Sequence, residues 1–194
     1  MNSDFFSLKL NFMKFKKTIL FLFTLCVIST LVAFNLNAEW KINAKDSVIS
    51  FTMPNGKHNG TISGLEAVIN FDPTNAEFGV ITATAIVSTI KTDNEKLDQH
   101  LQSADFFDSK NHPTISFKSE RILKNDSGYV AIGKLSMRDS VKNINLPFKF
   151  VRNEKNTILK GTIDILAGDY GVGKTSSTKA DHVIIALEVP IFQD

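Results

Sequence analysis

The sequence DQHLQSADFFDSKNHPTISF, residues 98–117, separates two runs of strand-like sequence. The first run begins near Trp40, and the second continues almost to the end of the chain. Leu97 and Leu101 lie four residues apart and Ala104 follows three residues later, which is the spacing of one apolar helix face. We therefore expect a short helix inserted between two halves of an all-β chain.

The flanking residues predict where this helix begins and ends. Thr92 and Glu95 have the spacing of a capping box, so the helix is expected to begin there. Phe106 and Phe107 are expected to end it after about ten to thirteen residues. The polar residues that follow, up to Pro113, then turn the chain into the next strand.

Alternation of apolar and polar residues predicts strands on both sides of the helix. It is clear in residues 65–71 and 81–87, and again in residues 146–150 and 183–191. The alanines at positions 83 and 85 predict a strand that is crowded on that face. Short strands with one helical interruption are typical of an antiparallel barrel. A barrel of about eight strands is filled by its own side chains or holds one small ligand.

Residues 1–38 have the order of a secretory signal peptide. Three lysines precede the apolar run 18–34, and a short polar sequence ending in Ala38 follows it. We expect cleavage to release one domain, residues 39–194, into the periplasm or the medium, with no stable insertion in the membrane. A retained anchor is the alternative, because 17 apolar residues lie at the lower edge of a bilayer span. Met13 is an alternative start.

Charge and cysteine content narrow the function of the predicted domain. The net charge of +2 includes four of the 22 basic and one of the 20 acidic residues in the leader, so residues 39–194 carry 18 against 19. This balance gives no argument for binding nucleic acid or an anionic membrane. The only cysteine, Cys26, lies in the leader, so the domain must be held by its own core.

Motifs for catalysis and metal binding are weak. Residues 168–175, GDYGVGKT, match a phosphate-binding loop, but a strand-like segment follows where that motif requires a helix. His100 and His112 are 12 residues apart, which is not a metal-ligand spacing. The sequence contains no G-x-S-x-G elbow. We predict no catalytic residues, no metal and no cofactor. The 16 phenylalanines instead favour an apolar core or an apolar cavity.

The sequence HLQSADFFDSKNHPTISFKS, residues 100–119, resembles the HLxSxDFFDxxxxPxxxFxS signature of the YceI-like family of secreted polyisoprenoid- or lipid-binding proteins. Residues 40–51, 65–73, 89–92, 133–148 and 169–171 resemble further family motifs. Ala67, Ser136 and Asp139 depart from them, standing where the family has glycine, threonine and glycine.

The resemblance implies an all-β, eight-stranded, lipocalin-like antiparallel barrel with one or two short capping helices. It implies binding of a long-chain isoprenoid or acyl lipid in the lumen, with no enzymatic activity. The residues expected to contact the ligand, with the last three placed near its head group, are Phe51, Phe71, Leu97, Leu101, Phe106, Ile115, Phe117, Phe150, His100, Asp169 and Tyr170.

Two other functions stay open at this stage. One is an enzyme that acts on an isoprenoid-like substrate, and the other is a ligand-free, stress-related interaction protein whose barrel is filled. The sequence also leaves open whether the domain is a monomer or a homodimer, and which lipid it binds.

Overall fold

Regular structure accounts for most of the residues that the computed structural model describes, which are 39–53, 58–152, 156–173 and 182–193. Within these ranges there are eleven strands and one α-helix, α1 (Glu95–Gln102). The strands are β1 (Glu39–Ile42), β2 (Val48–Thr52), β3 (Asn59–Ile62), β4 (Glu66–Asn70), β5 (Val80–Ile86), β6 (Lys91–Thr92), β7 (Thr114–Asn125), β8 (Gly128–Met137), β9 (Ser140–Arg152), β10 (Thr157–Leu166) and β11 (His182–Phe192). The predicted signal peptide, residues 1–38, lies outside the described residues.

Eight of the strands form a closed antiparallel barrel. Ladders join β1, β4, β5, β7, β8, β9, β10 and β11 in that order, and β1 pairs with β11 to complete the ring. The short strands β2, β3 and β6 extend the sheet beside β11 at one end of the barrel. The prediction of an eight-stranded antiparallel barrel is confirmed. No helix in the described ranges is long and apolar enough to cross a membrane.

Short breaks in the chain separate three pairs of successive strands, which are β1 and β2, β3 and β4, and β5 and β6. A 3-10 helix, Ala44–Asp46, separates β1 from β2, and another, Val87–Thr89, separates β5 from β6. Between β3 and β4, Gly64 has a φ of +67°, which is a conformation that favours glycine. The Thr89 hydroxyl accepts a hydrogen bond from the Ser63 amide at 2.9 Å, so two neighbouring breaks are bonded to each other.

The helix begins two residues later than predicted and is shorter. Asn94, not Thr92, is the N-cap, and its side-chain oxygen accepts hydrogen bonds from the amides of Lys96 and Leu97. Thr92 instead directs its hydroxyl to the carboxylate of Asp98, at 2.6 Å. The capping-box prediction was wrong because this buried carboxylate takes the threonine hydroxyl. The helix ends at Gln102, before the two phenylalanines that were expected to end it.

The inner faces follow the predicted alternation. One buried inner residue on each of four strands shows this, and these residues are Ile69, Ile81, Phe117 and Val189. We call the end of the barrel that carries α1 the helix end. Strands β5, β8 and β10 run towards it, whereas β7, β9 and β11 run away from it, since neighbours in the ring are antiparallel.

A bulge in β7 shapes one side of the wall. The β7–β8 register shifts between Ser119 and Arg121. Ser119 is buried, and its hydroxyl accepts a hydrogen bond from the Ile81 amide of β5 at 2.8 Å. Gly133 of β8 lies opposite this bulge, where a Cβ atom would stand 2.2 Å from the Lys118 carbonyl oxygen and 2.6 Å from the Ser119 Cα. Both of these atoms are backbone, so they cannot move aside as a side-chain tip could.

We expect Gly133→Ala to lower the free energy of unfolding by at least about 1–3 kcal/mol, the usual range for overpacking. Gly171→Ala is the matched control. Gly171 has a φ of +68° but no atom within 4 Å of the added Cβ, so the cost should be about 1–2 kcal/mol of backbone strain. Urea denaturation followed by circular dichroism measures both. Equal stability of Gly133→Ala and wild type would contradict the close approach.

Candidate functional site

The barrel encloses an apolar cavity of about 530 Å³, within the usual range of about 300–1,000 Å³ for ligand pockets. Among the described residues, no Asp, Glu, Lys or Arg lines it. His58 and His100 are its only ionisable lining side chains there. The apolar lining comes from β2 to β5, α1 and the segment after it, and every strand from β7 to β11.

Small side chains leave the central space empty. Ala67 of β4 and Ala83 of β5 pair directly, and Ala83 also pairs with Phe117 of β7. All three line the cavity, as does Ala85. The prediction that this face of β5 is crowded was wrong, because the alanines border open space.

An aromatic cluster closes the opposite end of the barrel. Phe71 is fully buried, and its ring lies 4.8 Å from that of Tyr129 and 5.9 Å from that of Phe148, both in edge-on contacts. Phe150 lies 5.1 Å from Phe71 and stacks on Trp40 at 5.8 Å. Of these five residues only Phe148 lines the cavity. We call this group the aromatic cluster.

The helix end is closed by α1 and the segment that follows it. Leu97, Leu101, Phe106 and Phe107 line the cavity there, and the His100 ring lies 4.4 Å from that of Phe106. All of these side chains except Leu97 come from residues 98–117, the stretch that divides the two β halves. The stretch therefore folds over one mouth of the barrel.

Backbone hydrogen bonds hold this covering segment in place. The Phe107 amide donates to the Leu101 carbonyl at 3.0 Å, and the Asp108 amide donates to the Ser103 carbonyl at 2.9 Å. The guanidinium of Arg138, at the β8–β9 turn, donates to the carbonyls of both Phe106 and Gly171. Arg138 thus joins the covering segment to the chain that leaves β10.

The carboxylate of Asp98 links α1 to β6 through hydrogen bonds and an ion pair. One carboxylate oxygen accepts hydrogen bonds from the amide and hydroxyl of Thr92, both at 2.6 Å. The other lies 2.9 Å from the Lys91 ammonium. The Thr92 hydroxyl, and then Lys91, stabilise the carboxylate and lower the pKa of Asp98 to about 2.

Tyr170 is buried just beyond β10, in the 3-10 helix Ala167–Tyr170. Its hydroxyl has no hydrogen-bond partner among the described atoms. Burial, and secondarily the charge of Asp169, raise the pKa of Tyr170 to about 12. The phenol is therefore neutral throughout the physiological pH range.

The structure brings seven of the eleven predicted contact residues together around the cavity. These are Phe51, Leu97, His100, Leu101, Phe106, Ile115 and Phe117. Phe71 and Phe150 lie in the aromatic cluster and do not line the cavity, although both rings pack edge-on or tilted against other rings of the cluster, including Phe148, which does line it. Asp169 is exposed and Tyr170 buried, and neither belongs to the lining. Contact of any of these residues with a ligand stays a prediction.

Sequence reasoning missed much of the lining. The missed residues include the cavity-facing alanines, and Ile163, Ile165, Val183, Ile185 and Leu187 of β10 and β11. Their alternation was a usable signal, since it placed them on inner faces. Arg138 gave no such signal, because its role depends on two distant carbonyls. The described residues contain no cluster of three metal-ligating side chains. The segment after Gly173, which completes the phosphate-loop match, lies outside the described residues, and the next described element is a strand.

Comparison with known proteins identifies similar chains. The model of the YceI-like domain matches residues 40–191. A UPF0312 protein from Ectopseudomonas mendocina is 23% identical over 137 residues, which cover 67% of this chain and 72% of that protein. The chain spans about half the length of several other relatives that it matches.

Two solved structures share the fold. BcnA from Burkholderia cenocepacia superposes with a TM-score of 0.71 at 22% identity, covering 79% of this chain and all of BcnA. A polyisoprenoid binding domain from Saccharophagus degradans, implicated in plant cell wall breakdown, gives a TM-score of 0.57 at 9% identity. That match covers 80% of this chain and 98% of the domain.

We expect Asp98→Asn to destabilise the protein at neutral pH and to lose this effect in acid. The folded-state pKa of about 2 lies below the ordinary value of 3.8, so the stabilising contribution is full above about pH 4 and disappears as the pH falls towards 2. Urea denaturation at several pH values measures the difference. Asp105→Asn is the control, since Asp105 is exposed in the same region. A difference between Asp98→Asn and wild type that persists unchanged at pH 2 would contradict the argument.

Proposed function

Since the chain belongs to the YceI-like domain family, we propose that its barrel binds a long-chain apolar lipid, a polyisoprenoid or a fatty-acyl chain, for transport or storage. The observation that carries this proposal is the apolar cavity, which has no charged carboxylate, ammonium or guanidinium group among its described lining residues. An ionic group carried into the lumen, away from the imidazoles, would lose its hydration there without gaining a partner. A hydrocarbon chain gains free energy when its apolar surface leaves water for such a space.

Binding energetics favour a long chain. Burial of a CH₂ group contributes about 0.8 kcal/mol, so ten of them give about 8 kcal/mol. Association costs about 4–15 kcal/mol. A ligand with well over ten carbons is therefore needed for tight binding. The polyisoprenoid binding domain from Saccharophagus degradans, which shares the fold, supports the same class of ligand.

The two histidines of the lining provide a place for a polar head group. His100 lies on α1 and His58 just before β3, both at the helix end. Their imidazoles offer hydrogen bonds to a hydroxyl, carbonyl or carboxylate. We place the head group at this mouth, with the hydrocarbon chain directed towards the aromatic cluster.

The proposed compartment is the periplasm or the extracellular space. The basic residues and apolar run of residues 1–38 support this proposal. A binding protein without cysteine in residues 39–194 is indifferent to the oxidising conditions there. The binding role is proposed in preference to catalysis because the described residues of the lining offer no acid–base pair besides the imidazoles.

The direct test is native mass spectrometry of the mature protein, purified from its own compartment without detergent and followed by lipid extraction. A stoichiometric long-chain adduct is the expected result. A stable protein that carries no lipid, and takes up neither polyprenols nor fatty acids when these are added, would rule the proposal out.

We expect Ala83→Phe to reduce lipid uptake at least about tenfold, because the added ring occupies the centre of the cavity. Thr82→Phe is the matched control. Thr82 is the exposed neighbour on the same strand, so the same side chain then points outwards. Lipid uptake is measured by native mass spectrometry, and folding by circular dichroism. Wild-type uptake by a folded Ala83→Phe protein would show that the lipid lies elsewhere.

A further inference from the structure

We propose that the Phe148 ring is the floor of the cavity and sets the longest hydrocarbon segment that the barrel encloses, and that the barrel encloses only one chain. The inference rests on the proposed function. It limits the length of the hydrocarbon chain in the cavity, and it limits the number of such chains to one.

The position of Phe148 makes it a floor. It lies on β9, which runs away from the helix end, and it pairs with Tyr129 near the start of β8. Phe148 is buried and lines the cavity. Phe150, two residues on and on the same face, is about 7 Å further along the strand and does not line the cavity. On β9, the lining therefore ends at the first of these two rings.

The rings around Phe148 hold it in place. Phe71 lies edge-on to it at 5.9 Å and Phe150 edge-on at 5.7 Å, while Tyr129 stacks on it at 5.5 Å. The Trp40 indole N–H donates to the Phe71 carbonyl oxygen at 2.9 Å, which ties the Trp40 side chain to the backbone of Phe71. A ring supported by three others cannot move down to lengthen the cavity without disrupting these contacts.

The volume of the cavity gives the scale of the limit. A space of about 530 Å³ holds about 18 groups of the size of a water molecule. A CH₂ group is of similar size, so the cavity holds one chain of about 18 carbons. Two such chains, as in a diacyl phospholipid, exceed it. The additional carbons of a longer single chain must remain outside the mouth, where they contribute less free energy of burial.

The test is a series of saturated fatty acids from 10 to 24 carbons, titrated into the mature protein. For wild type, affinity should increase about fourfold with each added CH₂ and reach a plateau near 18 carbons. Phe148→Ala should move the plateau up by about three carbons, the volume of the lost ring. Phe148→Trp should move it down.

Phe192→Ala is the matched control. It removes the same side chain from β11 of the same wall, but Phe192 is exposed and does not line the cavity, so its plateau should equal that of wild type. Phe148→Leu replaces Phe148→Ala if the alanine variant does not fold, and a smaller upward shift is then expected.

A second measurement uses Trp40, the only tryptophan of the chain. It stacks on Phe150 in the aromatic cluster. A fatty acid brominated at its terminal carbon should quench Trp40 fluorescence, whereas one brominated beside the carboxylate should quench it weakly. The reverse order would overturn the placement of the chain end at Phe148.

The outcomes separate this inference from the function on which it rests. Binding that continues to strengthen to 24 carbons in wild type, or an unshifted plateau in folded Phe148 variants, overturns the floor while the lipid-binding function stands. Stoichiometric binding of a diacyl phospholipid overturns the single-chain limit. Failure to bind fatty acids of every length, and polyprenols as well, overturns both the proposed function and the inference.

Discussion

Closure of the backbone ladder is the constraint on which the rest of the structure depends. Each strand of the ring has a partner on both sides, and β1 completes it by pairing with β4 and β11. The wall therefore satisfies its polar groups without a second layer. A barrel held in this way can keep an unfilled interior, although the empty space forgoes dispersion contacts. Aromatic rings pack directly against one another at the aromatic end.

The two ends of the barrel are built by different means. At the aromatic end, rings stack directly on one another around the fully buried Phe71. At the helix end, α1 and the segment after it are held by hydrogen bonds that the Asp98 carboxylate accepts and that Arg138 and backbone amides donate. Hydrogen bonds suit a mouth, because their donors and acceptors can bond to water instead when a ligand enters. Packed rings suit a floor, because they cannot rearrange at small cost.

The alternation of apolar and polar side chains predicts most of the barrel wall. The way in which the two ends are closed is harder to predict from the sequence. The inward faces of β5, β9 and β11 follow directly from the period of two. Phe150 and Phe148 share that period, so alternation places both inside but does not show at which level the open space ends. The role of Asp98 is also hidden, since it depends on Thr92 and Lys91 being brought beside the helix. The depth of the cavity is thus a property of the packing between strands.

The lining of the cavity determines what kind of selectivity is physically available. With no ionisable group among its described residues besides the two imidazoles at the mouth, the lumen cannot distinguish ligands by pairing charges along the chain. A hydrophobic pocket discriminates weakly between ligands that differ by one methylene, about 1–3 kcal/mol. Strong selection therefore has to come from a rigid boundary, where an added carbon meets a ring that cannot move. Phe148 is such a boundary because Phe71, Tyr129 and Phe150 support it.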